Sequence, residues 1–368
     1  MLIRFSVSNF LSFDGNQELS LEAGKARKFA DRLYVNRRLK VVKCEALFGA
    51  NASGKSNLID AIRFVKDTVE DGFPRGFSNK YYRLKGENRL KPSVFELELI
   101  CNEKRFIYGF SAVLNNGCIE EEWLYELTAS GIKKCLFLRN VNTQEFHVGE
   151  SFKGKEAIAK LKNYGEDSID DHEQLFLTII NMGKGKMFHD YKELRILNDI
   201  FLWFALKLNI SIPEGVLTGY PYFKNSNLEE ISELLNALGT GITNLRIVEV
   251  PTDIVKNKIP EDIYSKIISN LEKDNARIKK EGQNRHPSIV ARAYKEFYTF
   301  EIDQDDTITI RTIEFSHETN GIYFRLNEES DGTARLLDLI EILFQISNDN
   351  IYVIDEIDRC LHPAMTTK

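Results

Sequence analysis

The spacing of hydrophobic positions changes several times along the chain, and each change predicts an element. Ile3, Phe5 and Val7 alternate with polar neighbours over Met1 to Asn9, the period of a strand buried on one face. A turn is expected at Asp14-Gly15-Asn16, and Leu19 and Leu21 then predict a second strand, so the chain opens on a hairpin-like pair. Val41 to Phe48 reads as a mostly buried strand, and Leu58, Ile62, Val65 and Val69 follow at helical spacing as far as Asp71-Gly72. Residues 73–93 are loop-like, with Pro74, Gly76, Gly86 and Pro92. Val94 to Leu99, Phe106 to Leu114 and Trp123 to Leu127 predict an antiparallel meander, with a turn at Asn115-Asn116-Gly117; Phe137 to Val148 adds another hairpin.

From about residue 152 the pattern becomes mainly helical. Helices are expected over Lys155 to Asn163, Leu175 to Asn181, Tyr191 to Leu208, Leu228 to Leu238 and Ile263 to Lys280. Gly239-Thr240-Gly241 stops the fourth, and Ile242 to Val250 reads as a strand. Strand patterns return at Phe297 to Ile302, Thr307 to Phe315 and Gly321 to Leu326. A helix then shows Leu336, Leu337, Ile340, Leu343 and Phe344 on one face, and Ile351 to Ile354 is a buried strand that runs into Asp355-Glu356. The expected division is 1–150, 151–285 (a mainly helical insertion) and 286–368, with the last part apparently truncated.

Composition narrows the classes. A chain of 368 residues accommodates two or three domains, or one large domain with an insertion. Its 28% charged content and eight prolines argue against long disorder, and its net charge of −6 excludes a protein coated in positive charge. Basic residues are nevertheless gathered locally. Lys25, Arg27, Lys28, Arg32, Arg37, Arg38, Lys40 and Lys43 face a single acid, Asp31. That stretch fits contact with DNA, RNA or nucleotide phosphates, and equally a solvated loop. Arg75, Phe77, Lys80, Tyr81, Tyr82, Arg83, Lys85, Arg89 and Lys91 interleave cations with aromatics, as a nucleic-acid surface or an ordinary surface loop would. The five cysteines form no C-x-x-C pair, so reduced, mostly buried thiols are expected. Glu166, Asp167, Asp170, Asp171 and Glu173 form an acidic cluster, read as a solvated face or cap rather than a metal site. No hydrophobic signal core is present and the longest apolar stretch, Ile200 to Leu208, is too short to span a bilayer, so a cytoplasmic protein without a membrane partner is expected.

Three short stretches carry chemistry. Gly49-Ala50-Asn51-Ala52-Ser53-Gly54-Lys55-Ser56 reads G-x-x-x-x-G-K-[ST], the phosphate-binding loop of nucleotide triphosphatases. Its glycines let the backbone curl around an anion, its N–H groups form a nest, Lys55 reaches the β- and γ-phosphates and Ser56 offers a hydroxyl to Mg²⁺. The expected order of strand, loop and helix adds the helix dipole to the anion site. Asp355 and Glu356, at the end of a buried strand, suit Mg²⁺ orientation and activation of the attacking water. Ser330-Asp331-Gly332-Thr333 opens a helix, where Ser330 and Gly332 can donate to phosphate oxygens or Ser330 and Asp331 can simply cap it.

In this order the stretches resemble the ATP-binding-cassette heads of SMC, RecF and related ATPases. The chain is more closely similar to bacterial AAA-type ATP-binding proteins associated with abortive infection and phage defence. Met1 to Phe13, Phe48 to Asn57, Glu329 to Leu337 and Val353 to Arg359, with Leu361-His362-Pro363 after them, carry the likeness. The resemblance implies an α/β fold: an ABC-type P-loop ATPase head with an antiparallel β subdomain and a mainly helical insertion. It implies ATP and Mg²⁺ as ligands. Gly49, Ala50, Asn51, Ala52, Ser53, Gly54, Lys55, Ser56 and Asn57 would hold the nucleotide, with Asn51 towards the γ-phosphate. Ser56 and Asp355 would hold the metal, and Glu356 and Lys55 would be catalytic. Ser330 and Gly332 would touch ATP on a second head, and Asp358 would cross the interface. A homodimer or higher homo-oligomer that sandwiches ATP is thus implied, with a separate effector such as a nuclease, since no nuclease centre is evident in the chain. A RecF-like clamp on DNA or RNA and a non-hydrolysing scaffold are the other readings. Two features depart from the family pattern. Gln144 and Gln174 are poor candidates for a glutamine loop. The sensor histidine that normally follows a further strand is not found before Lys368, His362 being too close to Glu356, so slow hydrolysis is expected.

Overall fold

The computed structural model describes the chain except for residues 25–29, 37–38, 184, 213–227, 281–285, 294–295, 304, 318–320, 345–348 and 362–368. Two compact units are present. The first holds Met1–Ile210 and Asp349–Asp355, and the second Ser211–Asn348 and Glu356–Lys368.

Strands β1 (Leu2–Ser8), β2 (Gln17–Ser20), β3 (Leu33–Asn36) and β4 (Leu39–Val42) precede the helix α1 (Lys55–Asp71) in the first unit. The strands β5 (Ser93–Cys101), β6 (Lys104–Val113), β7 (Cys118–Leu127), β8 (Lys133–Asn140) and β9 (Glu145–Val148) follow as the expected meander. With the opening hairpin they form a seven-stranded sheet in the order β2-β1-β5-β6-β7-β8-β9. Every pairing in it is antiparallel. The register sets Val7 beside Phe95 and Phe95 beside Phe110, so these apolar side chains share one face. Helix α1 docks on that face. Phe64 is fully buried and its ring lies 4.9 Å from Phe95, 5.8 Å from Phe10, 4.8 Å from Phe77 and 5.5 Å from Phe73.

A buried ion pair joins this sheet to the next segment. Glu122 on β7 accepts hydrogen bonds from Tyr108 Oη at 3.0 Å and from the N–H of Leu177 at 3.1 Å, and also from the N–H of Phe176. It thereby caps helix α3 (Phe176–Asn181), which follows α2 (Lys155–Asp167). Arg139 Nη1 lies 3.8 Å from the same carboxylate and donates to Gln174 O at 2.7 Å; Nη2 donates to Ser168 O and Asp171 O. Burial pushes the Glu122 carboxyl up and the Arg139 guanidinium down, each opposed by the other's charge. Helices α4 (Gly185–Asp190) and α5 (Arg195–Leu202) follow, and α5 runs on into a π-helical turn, Trp203–Lys207. Lys66 of α1 donates to two carbonyls of that turn, Phe204 O at 2.8 Å and Ala205 O at 3.3 Å. Strand β10 (Leu208–Ser211) then pairs with the strand Ile351–Ile354.

The strand expected at Val41 to Phe48 does not form over that range. Only Leu39–Val42 is extended, paired with β3. Residues 43–48 are irregular and exposed, Phe48 at 94%. Their side chains suit a strand, but no described strand lies alongside to take their backbone hydrogen bonds, and extended chain without a partner is not a strand.

The second unit is built on a five-stranded sheet of β11 (Asn244–Glu249), β12 (Ser288–Ala293), β13 (Glu296–Ile302), β14 (Ile308–Ser316) and β15 (Phe324–Arg325). Its order is β11-β14-β13-β12, with β15 on β14, all antiparallel. The expected strand Gly321 to Leu326 shortens to β15 and a 3₁₀ turn. Period-two alternation gives the sheet two apolar faces. Tyr298, Phe300 and Ile302 pack with Val255 of α7 (Thr252–Lys256) and Leu271 of α8 (Glu261–Lys280). Leu245, Phe297, Ile313 and Phe315 pack with Ile231 and Leu235 of α6 (Leu228–Ala237) and Leu336, Leu337 and Ile340 of α9 (Asp331–Phe344).

Because Phe64 joins α1 to the sheet, Phe64→Ala is expected to cost about 3–5 kcal/mol of stability. The shift should appear in the unfolding transition of the first unit, monitored by denaturant titration.

Candidate nucleotide-binding site

The loop Gly49–Ser56 leads directly into α1 in the first unit, as the motif requires. Gly54 has φ +95°, a conformation suited to glycine, and Ala52 is also left-handed at φ +62°. A β carbon at Gly54 would lie 3.1 Å from Ser12 Oγ and 3.2 Å from the Phe13 ring; one at Gly49 would meet Ser53 Oγ at 2.7 Å. Space and dihedral angle both select glycine at Gly54, and space alone favours it at Gly49. Ser53 N–H donates to Ala50 O at 3.2 Å and closes the curl. Lys55 Nζ folds back on the loop, donating to Gly49 O at 2.7 Å and Ala50 O at 3.0 Å. The N-cap of α1 is Gly54, which has no side chain to cap it, and the first turn carries no acid. The N-terminal end of this 17-residue helix therefore presents unneutralised positive dipole behind a glycine curl, a donor set that fits phosphate.

Sequence reasoning missed a second layer. Asn57 Nδ2 donates to Ser12 Oγ at 2.7 Å, so the turn after β1 braces the loop from outside. That turn is itself held. Phe10 and Phe13 exchange backbone hydrogen bonds, and Leu11 N–H donates to Lys80 O at 2.6 Å. The buried Asn9 donates to Asn88 O at 3.0 Å and Lys91 O at 2.9 Å and accepts from Tyr82 N–H at 3.2 Å. Asp14 accepts from Asn88 Nδ2 at 2.8 Å and pairs with Lys85, and these partners hold its carboxyl below the usual range. Within the basic-aromatic loop, Lys91 pairs with Glu87 and Arg89 donates to Asn115, while Phe77 and Tyr81 pack on the core. The signal was present in the early Asn9-Phe10-Leu11-Ser12-Phe13 run, but nothing local says what such a turn will touch. Of the earlier basic stretch, Lys25, Arg27, Lys28, Arg37 and Arg38 lie outside the described residues.

The remaining site residues divide between the units. Asp355 is buried and ends the first unit's strand; Glu356, the next residue, belongs to the second unit, is exposed and has φ +49°. At the start of α9, Ser330 Oγ accepts from Thr333 N–H at 3.0 Å and lies 2.9 Å from Thr333 Oγ1, so it caps the helix. A β carbon on Gly332 would lie 2.9 Å from Cys360 O. The exposed Asp358 sits in the same turn as Glu356, its carbonyl accepting from Leu361 N–H at 3.0 Å. His362 lies outside the described residues.

The other candidates have structural explanations. Asp171 caps a turn, accepting from the N–H groups of Glu173 and Gln174 at 2.9 Å. Among the described residues no group of three or more His, Cys, Asp or Glu side chains is placed to hold a metal ion. All five cysteines are free as expected, but only Cys101 is buried. No described helix is long and apolar enough to cross a membrane.

A glycine-curled anion loop ahead of an uncapped helix, on a mixed α/β framework, defines a nucleotide-binding protein of the phosphate-loop class. Residues 46–368 match the family described as "AAA domain, putative AbiEii toxin, Type IV TA system", and the chain belongs to that family. No curated protein matches it.

Gly54→Ala should weaken binding of a fluorescent ATP analogue about tenfold or more, since strain of roughly 1–2 kcal/mol falls on the bound loop. Gly76→Ala, also at positive φ but with nothing near its β carbon, should leave that affinity unchanged.

Proposed function

We propose that this protein binds and hydrolyses ATP as an ABC-type head, and that ATP drives two heads together as a switch in bacterial anti-phage defence, controlling a separate effector. The observation that carries the reading is the phosphate loop, with Lys55 held on the carbonyls of Gly49 and Ala50 beside the uncapped end of α1. In this reading 1–150 and 286–368 are the two parts of the head and 151–285 is an insertion.

Backbone N–H groups of Gly49 to Asn57 bind the phosphates. Lys55 exchanges two neutral carbonyl acceptors for phosphate oxygens, a stronger charge-assisted pairing. Asn51 lies towards the γ-phosphate. Ser56 and Asp355 hold Mg²⁺, which when bound neutralises charge on the phosphates. Glu356 takes a proton from the attacking water as its oxygen bonds to the γ-phosphorus and the bond to ADP breaks. Ser330 and Gly332 meet ATP bound to the second chain, and Asp358 lies at the interface between chains. Burial of Asp355 at a strand end and exposure of Glu356 and Asp358 in the following turn suit these roles.

ATP turnover and solution mass test the reading. Lys55→Ala should abolish binding. Glu356→Gln should cut turnover by roughly 10²–10⁴-fold and trap an ATP-bound assembly. Ser330→Arg should block ATP-dependent dimerisation; if dimers form regardless, Ser330 is a helix cap and no more. Assembly with ATP and no turnover in the unmodified protein would point to a scaffold.

A further inference from the structure

The turn after Asp355 is held by the helix that carries Ser330. Glu356 and Cys360 both have positive φ, +49° and +64°. Residues with a β carbon keep such conformations only where their surroundings impose them. Part of the constraint is internal to the turn, in which Arg359 N–H donates to Glu356 O at 3.0 Å and Leu361 N–H donates to Asp358 O at 3.0 Å. The rest comes from α9. Arg335 is 7% exposed and donates from Nη2 to Glu356 O at 3.3 Å. Its Nη1 lies 3.4 Å from Ser211 Oγ, which directs the guanidinium plane. One turn earlier, Gly332 admits Cys360 O so closely that a β carbon would sit 2.9 Å from it. Both ends of the turn are thus seated on the first turns of one helix, and all these residues belong to the second unit.

We propose that Arg335 is a positioning residue for Glu356, fixing the turn Glu356–Leu361 to the first turns of α9 so that Ser330–Thr333 and Glu356 move as one piece. The proposal rests on the reading of Glu356 as the base that activates water. Engagement of Ser330 and Gly332 with ATP on a second chain would then be felt by Glu356 of the first chain through Arg335 and the Gly332–Cys360 approach. Gly332 accordingly has a role within its own chain, close packing against the catalytic turn.

The test compares the full-length protein with Arg335→Met, Arg335→Lys and Gly332→Ala, by amide hydrogen exchange, ATP turnover and binding of a fluorescent ATP analogue. Arg335→Met should speed exchange in residues 356–361 at least tenfold, leave exchange in residues 49–57 unchanged and keep analogue affinity within twofold. Its kcat should fall tenfold or more with KM unchanged. Arg335→Lys, which keeps a cationic donor, should recover most of both effects, and Gly332→Ala should loosen the same segment. Combined with Glu356→Gln, Arg335→Met should lower turnover no further. Unchanged exchange in 356–361 overturns the proposal, as does equal acceleration throughout the second unit or a further loss of turnover in the double variant. If the unmodified protein binds ATP without turning it over, the hydrolysis reading fails by itself, and the exchange comparison still decides whether Arg335 positions the turn. If Arg335→Met does not fold, Arg335→Lys and Gly332→Ala decide it: wild-type exchange in both overturns the proposal.

Discussion

A phosphate loop has no core of its own, so its shape depends on how firmly the helix behind it is anchored. Here the anchor is Phe64, which packs among Phe10, Phe73, Phe77, Phe95 and Phe110 and ties α1 to the seven-stranded sheet. Edge-to-face and tilted rings fix orientation as well as depth. Further along α1, Lys66 supplies donors to the π-helical turn and Val69 O accepts from Thr178 Oγ1 at 2.8 Å. One helix therefore connects the anion site, the sheet and the segment leading to the strand beside Ile351–Ile354. A side chain that spoils the Phe64 packing would be felt at all three.

The polar groups of the first unit serve the same end. The loop of residues 73–92 has the composition of a charged surface, yet Lys85, Lys91 and Arg89 are tied to Asp14, Glu87 and Asn115. Exposed ion pairs contribute little each. The Lys85 pair meets the Asn9–Asp14 turn directly, whose backbone and Asn9 side chain are otherwise met by Lys80, Tyr82, Asn88 and Lys91. Ser12 stands on that turn and reaches Asn57.

Glu122 and Arg139 show the cost side of the fold. Taking both charges out of water is unfavourable unless hydrogen bonds replace the lost hydration. Tyr108, two N–H groups of α3 and three backbone carbonyls supply those bonds. In return the pair fixes where the helical segment starts relative to the sheet, which hydrophobic packing alone would specify loosely.

The sequence by itself determined the features whose physics is local. Gly49 to Ser56 specifies a curl and a helix start within one contiguous run. The apolar runs of β5 to β7, broken at Asn115-Asn116-Gly117, specify a meander, and the Ser330 cap needs only Thr333. Tertiary structure decided everything that depends on a distant partner. Residues 43–48 have strand side chains and stay irregular because no described strand pairs with them. Ser12 and Asn57 are 45 positions apart, Arg335 and Glu356 are 21 apart, and Glu122 meets α3 54 residues later. Periodicity reports which face of an element is buried, but not which hydrogen-bonding group will stand opposite it. Here that opposite group brings Ser12 to the anion loop and holds Glu356 against α9.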